Sequence, residues 1–239
     1  MKHPALFLFD IDGTIVRTNG AGMRSYKRAF RRIFFSDSAV IEETVDFAGK
    51  TDRVIFDHLA HRNNIVPTEN DWLSFLAEYG SLLAAEAKDI SRWEICHGAE
   101  DVIHMLSERS YIGLLTGNVG IGARIKLSAI GLYGYFPVGG LADDGYSREE
   151  IAEAALLKCR IHYHIDFSQE HVWVIGDTVH DVRCAKHIGA RSIAVATGGS
   201  SVDELRRSSP DIAIEHLGML AIDEFVPPPR AADNGGSCA

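Results

Sequence analysis

Two aspartates, Asp10 and Asp12, stand two residues apart, directly after the apolar run at residues 5–9 and before Gly13 and Thr14. Carboxylates at the end of a buried strand are costly unless something compensates them. A divalent cation would do so. Mg²⁺, which takes hard oxygen ligands and usually only one or two protein carboxylates, suits such a pair. An aspartate held there can attack phosphorus and form an acyl phosphate. A second aspartate nearby can act first as general acid and then as general base. Gly13 lets the chain turn sharply away. The competing reading is a plain turn in which Asp and Gly end a strand.

Two other segments carry similar chemistry. Thr116-Gly117-Asn118 follows the apolar pair Leu114-Leu115. A hydroxyl with closely approaching backbone N–H groups makes an oxyanion nest, although a strand-to-helix turn with a capping residue has the same composition. Asp177 and Asp181 bracket Thr178-Val179-His180 after residues 172–176. Asp177 is placed to ligate a metal beside Asp10. Asp181 is a further ligand, a support for one, or the cap of the next helix.

These residues need elements that bring them together. Residues 5–9, 111–115, 171–175 and 192–196 read as strands buried on both faces, with a weaker one at 211–214. Helical patterns at 99–107, 122–130, 149–161 and 181–188 lie between them, so a parallel sheet covered by helices is expected. Ligands bind beyond the carboxyl ends of strands in such sheets, which is where all three segments fall. Residues 16–93 show helical spacing and no convincing strand, as in Tyr26, Ala29, Phe30 and Ile33, then Val54, Ile55, His58 and Leu59, then Trp72, Phe75, Leu76 and Tyr79. They read as an all-helical insertion, with His58 packed on an apolar stripe. Arg17, Thr18 and Asn19 fall at its hinge. Gly120 and Gly122 complete no dinucleotide-binding loop, and His162 and His164 read as surface residues rather than metal ligands.

The chain has 239 residues, four cysteines and a formal net charge of −9. The acidic balance disfavours nucleic acid as a partner, and no stretch reaches membrane-spanning length. The cysteines form no C-x-x-C pair and read as reduced thiols of a cytoplasmic protein. The tail at 227–239 opens on three prolines and reads as disordered.

D-x-D-G-T-I at 10–15, T-G-N at 116–118 and G-D-T-x-x-D at 176–181 resemble the motifs of haloacid dehalogenase-like hydrolases, and among them phosphoglycolate-phosphatase-like members. The resemblance implies a Rossmann-like, three-layer α/β core at 1–16 and 94–226, with a helical cap at 17–93. It implies Asp10 as nucleophile, Asp12 as acid and base, and Mg²⁺ held by Asp10, the backbone carbonyl of Asp12, and Asp177, with Asp181 in support. Gly13, Thr116, Gly117 and Asn118 would bind the phosphoryl group of a small phosphorylated metabolite. The family usually has a lysine before the third motif. Arg148 is the best match here and Lys158 the alternative. Lys50, in the cap segment 47–53, would face the leaving group, unless that segment is only a helix start capped by Thr51. Dehalogenating members lack the second aspartate. Cleaving a phosphate ester needs a proton on the leaving oxygen, so Asp12 favours phosphoryl transfer. A phosphosugar mutase and a non-catalytic binding module are the alternative readings.

Overall fold

In the computed structural model, residues 4–35 and 49–226 are described. The strands are β1 (Leu6–Phe9), β2 (Val16–Arg17), β3 (Glu94–Ile95), β4 (Tyr111–Leu115), β5 (Gly139–Gly140), β6 (Val172–Gly176), β7 (Arg191–Val195) and β8 (Ile212–Ile214). The helices are α1 (Ala21–Phe34), α2 (Asp52–Arg62), α3 (Glu69–Glu86), α4 (Ala99–Arg109), α5 (Gly120–Ala129), α6 (Arg148–Tyr163), α7 (Val179–His187) and α8 (Val202–Arg207). Six strands form one parallel sheet in the order β5-β4-β1-β6-β7-β8. The fold is thus the α/β, Rossmann-like type expected.

Every residue of β1 is fully buried, because β4 and β6 pair with its two edges and helices cover both faces. Phe7 and Phe9 belong to one apolar layer, with Val102, Ile103 and Leu127. Leu6 and Leu8 belong to the opposite layer, with Ala152, Leu156 and Cys184. This is the physical source of the unbroken apolar run, since a strand covered on both faces has no polar side.

Helices α1, α2 and α3 build a separate core of Tyr26, Phe30, Phe56, Trp72, Phe75 and Tyr79, which also takes in Val119, Ala142 and Ile151 from the sheet-bearing part. The short antiparallel pair β2–β3 lies where the chain leaves for these helices and returns, with Arg17 bonded to Glu94 at 2.7 Å.

Some expectations need correction. His58 is exposed, because the buried face of α2 runs through Ile55, Phe56, Leu59 and Ala60. The two-residue strand β5 and helix α8 were not anticipated, and α7 begins at Val179 rather than at 181. His162 and His164 are exposed, as expected. Cys96, Cys159 and Cys184 are buried and unpaired, and burial pushes their thiols up to about 11, 12 and 12. Among the described residues no helix is long and apolar enough to cross a membrane. Phe47, Ala48, Cys238 and the tail 227–239 lie outside the described residues.

Candidate active site

Because β4, β1 and β6 are adjacent and parallel, their carboxyl ends deliver Thr116, Asp10 and Asp177 to one place. The Asp10 N–H donates to the Ile175 carbonyl at 2.9 Å, so the nucleophile candidate is still anchored to the sheet. Its carboxyl group is buried, with the Thr116 hydroxyl favouring its charged form. Burial, reinforced by the Asp181 charge and opposed by Arg148, pushes Asp10 up to about 7.

Asp177 is held by space as much as by bonds. The Thr14 hydroxyl donates to it at 3.3 Å. A Cβ on Gly198 would stand 1.6 Å from its Oδ2, and one on Gly13 would stand 2.5 Å away. Gly13 also has φ of +82°, the left-handed region that glycine tolerates. Burial, then Asp181 and Asp10, push Asp177 up to about 8.

Asp181 occupies the third position of α7. Its Oδ2 accepts from the N–H (3.0 Å) and hydroxyl (2.7 Å) of Thr178, which completes a capping box. Its Oδ1 accepts from Arg148. The capping reading of Asp181 therefore holds together with its place in the site.

Arg148 is the first residue of α6, whose N-cap Ser147 accepts from Glu150 N–H at 3.1 Å. Its guanidinium is buried, 3.7 Å from Asp10 and bonded to Asp181. Burial works against its charge, but Asp181 and Asp10 outweigh that and push its pKa up. Lys158, the alternative cation, is bonded to Asp144 on the outside.

One oxygen from each of Asp10, Asp177 and Asp181 lies within 4.8 Å of the others. Three buried carboxylates face a single guanidinium, so negative charge is in excess. A hard divalent cation fits this donor set.

Asp12 points elsewhere. Its Oδ2 accepts from Lys126 Nζ at 2.5 Å and from Asn118 Nδ2 at 2.8 Å, and its side chain faces the cleft. Asn118 Nδ2 also donates to the Thr116 hydroxyl oxygen at 2.9 Å, and its Oδ1 accepts from Lys126 at 2.6 Å. The cleft encloses about 450 Å³ beneath α1 and α2, with Met23, Tyr26, Ile55 and Tyr79 as its apolar wall. Lys50 and Gly117 also line it. Thr51 caps α2, accepting from Val54 N–H at 3.2 Å, so the segment is a capped helix start as well as part of the cleft wall.

Two residues of the cleft were not found in the sequence. Lys126 is the first. Its signal was a charge at a position of α5 that shares its buried face with Val119, Ala123 and Leu127. Asp52 is the second. This first residue of α2 is buried, its N–H donates to the Gly117 carbonyl at 2.8 Å, and its Oδ2 accepts from Val119 N–H at 2.8 Å. Nothing in its sequence context marks it, because the partners lie 65 or more positions away.

Known proteins place this geometry. The family model described as haloacid dehalogenase-like hydrolase matches residues 7–195. A Dickeya dadantii protein named "Probable phosphatase IndB" is 23% identical over 214 residues, covering 88% of this chain and 89% of that one. A crystal structure of a hydrolase from Pseudomonas syringae superposes with a TM-score of 0.68 at 18% identity, covering 92% of this chain and 99% of that one. The crystal structure of CbbY from Rhodobacter sphaeroides in complex with phosphate gives 0.67 at 17%, covering 92% and 97%. The match runs from β1 through β7 and contains all the motif residues above, and on that basis the chain belongs to the haloacid dehalogenase-like hydrolases.

Proposed function

We propose that the protein is a Mg²⁺-dependent phosphatase that hydrolyses a small phosphomonoester through an aspartyl-phosphate on Asp10. The observation that supports this most is the convergence of Asp10, Thr116 and Asp177 with the buried Arg148, while Asp12 faces the same cleft from two residues away. A binding module has no need of a nucleophile beside an acid.

In the first step an Asp10 oxygen attacks phosphorus. The bond from phosphorus to the ester oxygen breaks, its electron pair stays on that oxygen, and Asp12 supplies the proton that makes it an alcohol. In the second step Asp12, now a carboxylate, takes a proton from water, whose oxygen attacks phosphorus. The bond to Asp10 breaks and returns its electron pair to the carboxylate. Arg148, Thr116, Asn118 and the backbone at Gly117 and Gly13 would hold the phosphoryl oxygens, with Arg148 able to grip two at once. Mg²⁺, held by Asp10, Asp177 and the Asp12 carbonyl with Asp181 bracing Arg148 beside them, would supply neutralising charge to the phosphoryl group. Residues 17–93 would act as a cap on a core formed by 1–16 and 94–226, with Lys50 facing the leaving group and the closed cap excluding water.

The test is phosphate release from a panel of metabolite phosphates and p-nitrophenyl phosphate. The expected result is turnover that EDTA abolishes, Mg²⁺ restores and Asp10→Asn eliminates while still folding. Retained turnover in Asp10→Asn, or indifference to EDTA, would contradict the reading.

A further inference from the structure

Lys126 is nearly buried, with 5% of its side chain exposed, whereas the Asp12 side chain it bonds is 45% exposed. A lysine carried inward among Val119, Ala123 and Leu127 meets a desolvation cost that only well-placed acceptors offset. It donates to Asp12 Oδ2 at 2.5 Å and to Asn118 Oδ1 at 2.6 Å. Asn118 closes the ring by donating to the same Asp12 oxygen at 2.8 Å, and it joins the ring to Thr116 at 2.9 Å.

Cap helix α1 makes room for this arrangement. A Cβ on Gly22 would stand 3.3 Å from Lys126 Nζ and 3.4 Å from its Cε. The ammonium therefore passes beneath the cap to reach a carboxyl group on the turn after β1. A bridge to Val16 holds the backbone of Asp12 in that turn, but its side chain is held only through Oδ2, which takes both donors while Oδ1 takes none among the described residues.

We infer that Lys126 is a positioning residue for the acid–base step, clamping Asp12 by Oδ2 so that Oδ1 is the oxygen that hands a proton to the departing alcohol and later takes one from water. The inference rests on the phosphatase reading above. It assigns the two oxygens of Asp12 different work, and it makes α5 part of the catalytic apparatus through Asp12 and Asn118 rather than through Asp10, Asp177 or Asp181.

A misplaced acid slows the departure of a poor leaving group far more than that of a good one. The experiment compares kcat/KM for an alkyl ester, glycerol phosphate, with that for p-nitrophenyl phosphate in the wild type, Lys126→Met and Lys126→Arg. Lys126→Met keeps the length of the side chain and lacks its donor. It should reduce the alkyl reaction by about 100-fold and the aryl reaction by less than about 10-fold, given the size of general acid contributions. Lys126→Arg should restore part of the alkyl rate. If Lys126→Met does not fold, Gly22→Ala crowds the ammonium from the cap side and should lower the alkyl-to-aryl ratio by about 10-fold, on the same scale. Equal losses on the two esters would overturn the inference and leave the phosphatase reading intact. Absence of Mg²⁺-dependent turnover in the wild type would overturn both.

Discussion

Asp10, Asp12, Asp52, Asp177 and Asp181 lie in or beside this cleft with Lys50, Lys126 and Arg148, and their neighbours set them differently. Asp10 and Asp177 are pushed up chiefly by burial and then by the Asp181 charge, whereas Asp181 is satisfied by Thr178 and Arg148. Asp52 stands apart, at the junction of α2 with the loop after β4. Burial raises it from 3.8 to about 7, opposed mainly by Lys126 and the Val119 N–H. Folding is thus favoured with its proton on. That contribution is complete below about pH 4 and is lost as pH rises through about 7. Asp52→Asn keeps an oxygen for Val119 N–H without the ionisation. Thermal unfolding from pH 5 to pH 8 should show the variant gaining on the wild type by several degrees as pH rises, roughly the scale of 1–2 kcal/mol. A constant difference across that range would mean that Asp52 does not titrate on folding.

Among the elements, the start of α6 matters most to the chemistry, because its first residue is Arg148. Ser147 and Glu150 form a capping box there, with Glu150 Oε2 also accepting from Tyr146 N–H at 2.7 Å. Removing the cap hydroxyl in Ser147→Ala should cost about 1 kcal/mol by denaturant unfolding. It should also raise KM more than a capping change elsewhere, since the frayed turn carries Arg148, to which the proposed mechanism gives the phosphoryl oxygens. Ser201→Ala, in the equivalent capping box of α8, is the control and should leave KM unchanged. Equal kinetics in the two variants would detach Arg148 from its cap. The strands show how far the elements could be read beforehand. β1, β4, β6 and β7 are apolar runs because both faces are covered, and such runs are visible without a structure. β5 is only Gly139–Gly140 and has no side chains to form a pattern. His58 was misplaced because one stripe through Val54 and His58 and another through Ile55 and Leu59 are adjacent on a helix, and only packing against α1 and α3 decides between them.

At the scale of the molecule, the site exists because the sheet order places β1 between β4 and β6, so three strand tips spread over more than 160 residues of sequence meet. That much followed from the motifs, since buried parallel strands can present their carboxylates only at one edge. The contribution of Lys126 and Asp52 did not follow, because their partners come from contacts between the helical segment and the sheet that no local spacing encodes. The account as a whole requires that phosphorus be bonded, for part of each turnover, to Asp10. The direct measurement is acid quenching of the enzyme during steady turnover with Mg²⁺, followed by peptide mass spectrometry. The account predicts one phosphoryl group on the peptide that contains Asp10, absent from Asp10→Asn. Steady release of phosphate with no phosphoryl group on that peptide, or with one on a different residue, would contradict it.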